Sequence, residues 1–463
     1  MAQRCVCVLA LAAVLLLVFP TVSRSMGLRS AEHQRASRIP SQFSKEERVA
    51  MKEALKGAIQ IPTVTFSSEK SNTTALAEFG KYIHKVFPTV VSTSFIQHEV
   101  VEEYSHLFTI QGSDPSLQPY LLMAHFDVVP APEEGWEVPP FSGLERDGVI
   151  YGRGTLDDKN SVMSSGTGAQ KISALLQSRG VQLAFIVDEG GFILDDFIPN
   201  FKKPIALIAV SEKGSMNLML QVNMTSGHSS APPKETSIGI LAAAVSRLEQ
   251  TQMPIIFGSG TLVTVLQQLA NEFSFPVNII LSNPWLFEPL ISRFMERNPL
   301  TNAIIRTTTA LTIFKAGVKV NVIPPVAQAT VNFRIHPGQT VQEVLELTKN
   351  IVADNRVQFH VLSAFDPLPV SPSDDKALGY QLLRQTVQSV FPEVNITAPV
   401  TSIANTDSRF FTNLTTGIYR FYPVYIHPED IKRMHGVNEK ISVQAYETQV
   451  KFIFELIQNA DTD

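Results

Sequence analysis

Cysteine is nearly absent from this sequence. Its 463 residues include two cysteines, Cys5 and Cys7, and both lie in an apolar N-terminal run that follows Arg4. Because this run is too short to span a bilayer and is followed by small polar residues, residues 1–25 are predicted to be a signal peptide; the alternative is a membrane anchor. The mature chain would contain no cysteine, which excludes a disulfide-stapled scaffold, a thiol enzyme and a zinc–thiolate protein.

Charge is also sparse and almost balanced. Lys and Arg number 38 against 43 Asp and Glu, which gives a net charge of -5, and no block of basic residues occurs. The sequence therefore lacks the electrostatic signature of nucleic-acid binding. After the N-terminal run, no apolar stretch resembles a membrane-spanning helix. The 44% apolar content is typical of a globular protein, and the length predicts two or three domains.

Short apolar runs that end in polar residues indicate an α/β sheet. Residues 120–124 end at His125, residues 181–187 end at Asp188, and residues 204–210 form a third run, with helical patterns between them. Runs of this kind predict buried parallel strands. In such sheets ligands bind at the carboxyl ends of the strands, where His125 and Asp188 occur.

Residues 214–364 follow a different pattern. They combine strands and helices in an order that predicts a small inserted α+β domain, with strands at 216–224, 320–323 and 328–335 and helices at 237–248 and 341–352. The larger domain is then predicted at residues 45–213 and 365–460. Within the insert, residues 251–300 hold only five charged residues. This apolar segment indicates either core and interface packing or an apolar wall for a substrate.

Acidic residues and a histidine of the larger domain could bind a metal. His125 and Asp127 share one face of an extended strand, so one could bind a metal while the other orients it. Asp157 and Asp158 follow a glycine-rich turn, where two acids disfavour a phosphate loop and suit a cation. A surface pair and a solvated loop would give the same local patterns.

Three further polar segments complete the candidate site. His228 lies among small residues between a predicted strand and a predicted helix, where it could face a ligand or have no role. Residues 406–409 include Arg409, whose planar guanidinium suits a carboxylate. Residues 435–439 begin with a third histidine, His435.

Four Asn-X-Ser/Thr triplets are candidate glycosylation sites. They begin at Asn72, Asn223, Asn395 and Asn413. Such triplets also occur by chance, but they agree with the predicted signal peptide. The expected localisation is secreted and extracellular.

Seven short strings occur in an order that resembles a known family. They are His-Phe-Asp-Val-Val-Pro at 125–130, Gly-Arg-Gly-Thr-Leu-Asp-Asp-Lys at 152–159, Asp-Glu-Gly-Gly at 188–191, Gly-His-Ser-Ser-Ala-Pro-Pro at 227–233, Asn-Val-Ile-Pro-Pro at 321–325, Thr-Asp-Ser-Arg-Phe at 406–410 and His-Gly-Val-Asn-Glu at 435–439. Residues 45–455 thereby resemble the dinuclear zinc metallopeptidases that include aminoacylase, carnosinase and yeast carboxypeptidase S. Within that family, the sequence is most similar to secreted enzymes that join and cleave fatty acids and amino acids.

The resemblance implies a fold and a metal site. The fold is an α/β zinc-peptidase sheet domain flanked by helices, with an inserted α+β lid or dimerisation domain. His125, Asp157 and Asp188 match ligands of one zinc. Asp157 also bridges to a second zinc, which His435 helps to hold, and Asp127 matches the acid that orients His125.

The resemblance also implies residues that contact the substrate. His228 matches a lid histidine that, in dimeric relatives, enters the partner's site and polarises the scissile carbonyl. Asn321 and Arg409 match substrate-binding positions. The implied partners are N-acyl amino acids, fatty acids, free amino acids and a second copy of the chain bound through the lid domain.

One feature of the family is missing. Its members carry a Glu-Glu pair between the bridging aspartate and the later aspartate ligand, one as general base and the other as ligand of the second zinc. Here no Asp or Glu occurs from Lys159 to Val187, where about 2.7 would be expected at 43 acids in 463 residues. The simplest explanation is the loss of one contiguous piece at the join of Met163 and Ser164. Glu189 is a candidate substitute base, although Gly190 and Gly191 match the later family motif better.

These observations lead to one main hypothesis and one alternative. The main hypothesis is zinc-dependent hydrolysis, and reversible condensation, of amide bonds in N-acyl amino acids, most of all N-fatty-acyl amino acids. Loss of the pair predicts one bound zinc instead of two and impaired activity, since general-base catalysis commonly contributes ~10²–10⁴-fold. The alternative is an inactive secreted isoform, or a non-enzymatic protein that binds lipid and amino-acid conjugates.

Overall fold

A computed structural model describes residues 42–461, apart from 68–69, 113, 162–165, 199–200 and 259–260. The described residues divide into two compact units. The main unit falls within Gln34–Val210, Ser371–Pro399 and Asn405–Asp463, and the inserted unit within Ser211–Val370 and Val400–Ala404. The predicted signal peptide and the join of Met163 and Ser164 lie outside the described residues.

Helices and short strands alternate in the first part of the main unit. The helices are α1 Lys45–Ile59, α2 Thr73–Val86, α3 Pro88–Ser92 and α4 Gly166–Ser178. The strands are β1 Thr65–Ser67, β2 Lys70–Ser71, β3 Ile96–Val101, β4 Ser105–Ile110, β5 Leu121–Leu122, β6 Leu144–Arg146, β7 Val149–Tyr151, β8 Ile186–Asp188, β9 Ile193–Leu194 and β10 Ile205–Glu212. Helix α1 begins at a capping box in which Ser44 and Glu47 each accept a backbone N–H of the other, which satisfies two amides of the first turn.

The described strands of the inserted unit include four long ones and two short ones. They are β11 Gly214–Asn223, β12 Gly227–His228, β13 Thr308–Ala316, β14 Val322–Ile323, β15 Val326–Ile335 and β16 Val357–Phe365. The helices are α5 Ser237–Gln250, α6 Leu262–Ala270, α7 Val277–Ser282, α8 Pro284–Met295, α9 Pro299–Ile305 and α10 Val341–Val352. The predicted helix at 341–352 therefore has the observed bounds.

The chain then returns to the main unit. The remaining strands are β17 Ile396–Ser402, β18 Ile418–Arg420, β19 Tyr425–Ile426 and β20 Lys440–Ser442. The remaining α-helices are α11 Leu378–Val390 and α12 Val443–Ala460, and short 3₁₀ helices occur at Asp407–Phe411 and Asp430–Lys432.

The central sheet of the main unit has strand order β19-β9-β10-β18-β8-β5, and β17 also pairs with β10. Strands β5, β8 and β18 are parallel, so the carboxyl ends of β5 and β8 lie at the same edge. Strand β10 runs antiparallel to both β18 and β9, so the prediction of a parallel strand at 204–210 is wrong. A strand that is apolar on both faces has the same pattern in either direction, and its direction is decided by long-range pairing.

The inserted unit is a sheet covered by helices on one face. Its antiparallel strands have the order β13-β15-β11-β16. Helices α5 and α10 pack against it around fully buried residues such as Leu218, Ile240 and Val344. The two units together confirm the predicted mixed α/β class.

The apolar segment at 251–300 packs only part of its surface. Helices α6, α8 and α9 share a small core that includes Leu262, Leu266 and Ile291. Phe275 and Phe294 nevertheless remain 78% and 63% exposed. The segment thus has a core of its own and an exposed apolar surface.

A buried carboxylate joins two distant segments of the main unit. Glu439 accepts hydrogen bonds at Oε1 from the backbone N–H groups of Gly154, Leu156 and Asp157, at 3.0, 2.7 and 3.1 Å. Its Oε2 accepts from Arg153 Nη1 at 2.6 Å, and both side chains are almost fully buried. Glu439 thereby sets the backbone turn that leads into Asp157.

Helix α11 approaches the central sheet closely at a glycine. A Cβ added to Gly379 would lie 2.6 Å from Phe185 Cγ and 2.6 Å from Tyr419 Cε2. Both aromatic side chains are about 2% exposed, so neither can move aside without disturbing the core.

We expect Gly379→Ala to lower the free energy of unfolding by about 1–3 kcal/mol, because overpacking forces the helix away from the sheet. Chemical denaturation measures the effect. The control is Gly239→Ala on the exposed face of helix α5, where the new Cβ would lie 3.6 Å from its nearest neighbour. Equal stability of the two variants would contradict the close approach.

We expect Glu439→Gln to destabilise the main unit by about 3–5 kcal/mol, because it leaves the buried Arg153 guanidinium without a counter-charge. The matched control is Glu137→Gln, which breaks an exposed ion pair with Arg146 and should leave the denaturation midpoint unchanged. Similar midpoints for both variants would show that Glu439 does not hold the turn.

Candidate metal centre

Histidines and carboxylates from four segments of the main unit meet beside the central sheet. His125 follows β5, Glu189 follows β8, Asp157 follows the turn held by Glu439, and His435 lies between a 3₁₀ helix and β20. Their convergence reflects the parallel pairing of β5 and β8, which brings both carboxyl ends to one edge.

Asp157 lies between two imidazoles. Its Oδ1 is 3.0 Å from His125 Nε2, and its Oδ2 is 2.5 Å from His435 Nε2. Each carboxylate oxygen therefore faces a different histidine, as in a carboxylate that bridges two ions. His435 has a φ of 57°, an uncommon backbone conformation outside glycine, at the position where its ring meets Asp157.

His125 is oriented through its other ring nitrogen. Nδ1 lies 2.9 Å from the backbone oxygen of Asp127 and 3.5 Å from Asp127 Oδ1. A carbonyl oxygen can only accept, so Nδ1 carries a hydrogen; Nε2 donates to Asp157 when the ring is charged and has a lone pair when the ring is neutral. Asp127 therefore orients His125 mainly through its main chain.

Asp188 and Glu189 differ in where their carboxylates point. Asp188 accepts from the backbone N–H groups of Glu189 and Ser408, each at 3.0 Å. Glu189 Oε1 instead lies 3.3 Å from His125 Nε2. The carboxylate that faces the histidine thus belongs to Glu189, one residue beyond the predicted ligand.

Asp158 is a further acid of the cluster. Asp158 can contribute one ligand atom together with His125 and Glu189, and these three atoms all lie within 4.8 Å of one another. Asp158 is fully buried, and its Oδ1 has no hydrogen-bond partner. The sequence pattern indicated that Asp157 and Asp158 together suit a cation, but the family resemblance did not assign Asp158 or Glu189 as a ligand. The available signal was their position directly after Asp157 and Asp188.

Several ionisable side chains lie close together in the cluster. Burial raises the pKa values of Glu189 and Asp158. Burial opposes protonation of His125, but Glu189 and the hydrogen-bonded Asp127 and Asp157 raise its pKa well above the ordinary value. Burial by itself would raise the pKa of Asp157, but hydrogen bonds from His125 and His435 lower it. The other acids are also adjacent, so the cluster has excess negative charge that a cation would offset.

These residues fit a divalent cation. Imidazole nitrogens combined with carboxylate oxygens suit zinc and similar transition ions, whereas magnesium and calcium prefer oxygen alone. The unpartnered buried oxygen of Asp158 and the shared carboxylate of Asp157 are the observations that support this fit.

A small cavity lies beside the cluster. Its volume is about 180 Å³, and its walls include His125, Glu189, Asp407 and Arg409. Burial, with the charge of Asp188 adding to it, raises the pKa of Asp407 to about 7. The predicted carboxylate-binding residue Arg409 therefore lines the same cavity as the histidine and the acids.

Two predicted substrate residues are neighbours in the inserted unit. His228 pairs with Val322 across β12 and β14, and the N–H of Ser229 donates to the oxygen of Asn321 at 3.2 Å. His228 Nδ1 accepts from the N–H of Ser230, so the hydrogen of the neutral ring lies on the exposed Nε2.

The candidate glycosylation sites differ in exposure. Asn223, Asn395 and Asn413 are exposed. Asn72 is half-buried and caps helix α2 by accepting from the N–H of Ala75. Among the described helices, none has both the length and the apolar character that a bilayer crossing requires.

Several named proteins are similar along the whole chain. The N-fatty-acyl-amino acid synthase/hydrolase PM20D1 of Homo sapiens is 91% identical, covering 100% of this chain and 98% of the relative. The protein of the same name from Bos taurus is 70% identical with the same coverage. A probable carboxypeptidase S-like 2 from Dictyostelium discoideum is 36% identical over 83% of this chain and 79% of its own length.

The match to the human protein is longer than this chain. It runs over 492 positions, whereas the chain has 463 residues and is matched throughout, so 29 positions have no residue of this chain opposite them. A piece of that size is about as long as one helix, one strand and their connections.

Solved structures support the fold. A metallo-carboxypeptidase from Sulfolobus solfataricus covers 90% of this chain and 100% of its own, with 15% identity and a TM-score of 0.61. Human carnosine dipeptidase 1 covers 90% and 97%, with 14% identity and a TM-score of 0.55. Residues 121–459 match the sequence pattern of Peptidase family M20/M25/M40. The chain therefore belongs to this family of metal-dependent hydrolases.

Proposed function

We propose that this chain hydrolyses, and in reverse forms, the amide bond of N-fatty-acyl amino acids with zinc as its cofactor, and that the shortened chain does so slowly. The observation that carries the proposal is the convergence of His125, Asp157, Glu189 and His435. The substrate class is that of the human relative, N-fatty-acyl-amino acid synthase/hydrolase, which is 91% identical.

Each residue of the cluster has a role in this proposal. His125, Asp157 and either Asp188 or Glu189 hold one ion, which supplies Lewis-acid polarisation of the amide carbonyl and lowers the pKa of a water molecule. Asp127 keeps Nε2 of His125 turned toward the cluster. Arg409 binds the carboxylate of the amino acid through its guanidinium, beside the cluster in the same cavity.

Two residues of the inserted unit are also proposed to act on the substrate. His228 stabilises the oxyanion that forms on the substrate, because its exposed Nε2–H is available as a hydrogen-bond donor. Asn321 positions the substrate. In the family resemblance this histidine acts across a homodimer, so we also propose dimerisation through the inserted unit. Secretion and glycosylation at Asn223, Asn395 and Asn413 belong to the same proposal.

The reduced rate follows from the missing carboxylates. Residues 159–187 contain no acid, and 29 positions of the alignment with the human relative have no residue of this chain opposite them. One ion has three protein ligands available, whereas a second ion keeps Asp157 and His435, fewer than the usual three. Glu189 also lies beside His125, with Oε1 3.3 Å from Nε2, and it does not bridge the two histidines as Asp157 does, so it is the candidate for any remaining proton transfer.

We expect the purified chain, supplied with zinc and an N-oleoyl amino acid, to turn over about 10²–10⁴-fold more slowly than the human relative, because the family's general base is missing. His125→Ala should abolish the remaining turnover. His360→Ala changes an exposed histidine of strand β16 and is the control. Turnover equal to that of the human relative would remove the proposed impairment. Absence of turnover in a folded, zinc-loaded chain would favour the inactive or binding form.

We expect His125→Ala to release one zinc equivalent per chain, since the second position has only two protein ligands. Elemental analysis after dialysis, compared with the unaltered chain, measures the difference. A loss of two equivalents would contradict a single ion at this centre.

A further inference from the structure

Three histidines of the main unit form a second cluster, away from the residues of the metal centre. His84 lies in the last turn of α2, His98 on β3 and His106 on β4. Strand pairing places His98 opposite Phe108 and Val100 opposite His106, so His98 and His106 are diagonal neighbours on one face of the hairpin. One ring nitrogen of each of the three lies within 4.8 Å of the others.

The rings of this histidine cluster are held by their surroundings. His98 Nε2 is 2.9 Å from His106 Nδ1, and the Phe108 ring stacks on His98 at a centroid distance of 4.5 Å. His106 is buried against Gly80 of α2, where an added Cβ would lie 2.7 Å from its Nε2. Because Gly80 has no side chain, the His106 ring can lie directly against helix α2.

We propose that His84, His98 and His106 bind a divalent transition-metal ion of the zinc, copper and nickel type. Three imidazoles without a carboxylate favour these ions over magnesium and calcium. Zinc–nitrogen bonds of about 2.0–2.1 Å in a tetrahedral site place the nitrogens roughly 3.4 Å apart. The observed separations, 2.9 Å and at most 4.8 Å, bracket this value, so small ring rotations complete the site.

The protonation of the rings supports binding at neutral pH. Burial lowers the pKa of His106 to about 4 and also lowers the pKa of His98. Neutral rings offer lone pairs without competition from protons. In the His98–His106 hydrogen bond one nitrogen carries the hydrogen, and this hydrogen moves to the other nitrogen of the same ring when the ion binds.

An ion at this position would join helix α2 to the β3–β4 hairpin. The chain has no cysteine beyond Cys7, so no disulfide can join these elements. Three protein ligands leave the fourth tetrahedral position to water, since the described part of the chain adds no fourth histidine or acid to the cluster.

The test compares the zinc content of the full chain with that of His84→Gln and His98→Gln, after dialysis against zinc and removal of the excess. We expect each variant to lose one equivalent, to bind zinc at least about 10-fold more weakly at this site, and to unfold at a lower temperature when zinc is present. His360→Gln is the matched control on an exposed strand and should keep both equivalents.

The experiment distinguishes failure of this proposal from failure of the proposed function. His125→Ala removes zinc from the metal centre, whereas His84→Gln and His98→Gln remove it from the histidine cluster, and no activity is needed for the readout. Because His106 is buried, its variant could misfold, and the two less buried positions carry the test. Equal zinc content in His98→Gln and the unaltered chain, with native circular dichroism in both, would overturn the proposal.

Discussion

The buried contact between Arg153 and Glu439 is the constraint on which the metal centre depends. Glu439 satisfies three backbone amides of the turn before Asp157 and the guanidinium of Arg153 at once. Arg153 also donates to the oxygen of Gly436, next to His435. This ion pair therefore fixes the backbone positions of both Asp157 and His435. Burying two charges is favourable only when their hydrogen bonds are satisfied, and here nearly all of them are.

The metal centre itself is a concentration of like charge. Asp157, Asp158, Asp188 and Glu189 lie close together, and two of them have raised pKa values because burial removes their hydration. Imidazoles from His125 and His435 offset only part of this charge. Such a cluster is costly in the fold alone and is stable when a cation shares its oxygens, which is the arrangement that a metallopeptidase requires.

Family membership and activity are separate questions for this chain. The fold, the turn at Asp157 and the acids after β8 are present in a chain that has no residue opposite 29 positions of its alignment with the human relative. Scaffold and metal ligands come from several distant segments, so the loss of one piece leaves the others in place. The proposed loss of a general base would instead concern a single segment.

Local sequence was sufficient for many elements. The helices at 45–59 and 341–352 were predictable because apolar spacing and capping residues act within a few residues of each other. The donor types His125, Asp157 and His435 were also readable from short motifs, and the structure brings them together. The direction of β10 was not predictable, because an apolar strand reads the same in both directions.

The sequence by itself determined the helical segments, the residue types available for a metal and the absence of acids at 159–187. Only the tertiary structure decided that Glu189 faces His125 while Asp188 turns to backbone amides, and that His84, His98 and His106 meet between a helix and a hairpin. The reason is physical: periodicity and capping act locally, whereas the direction of a side chain depends on partners that strand pairing and core packing bring from far along the chain.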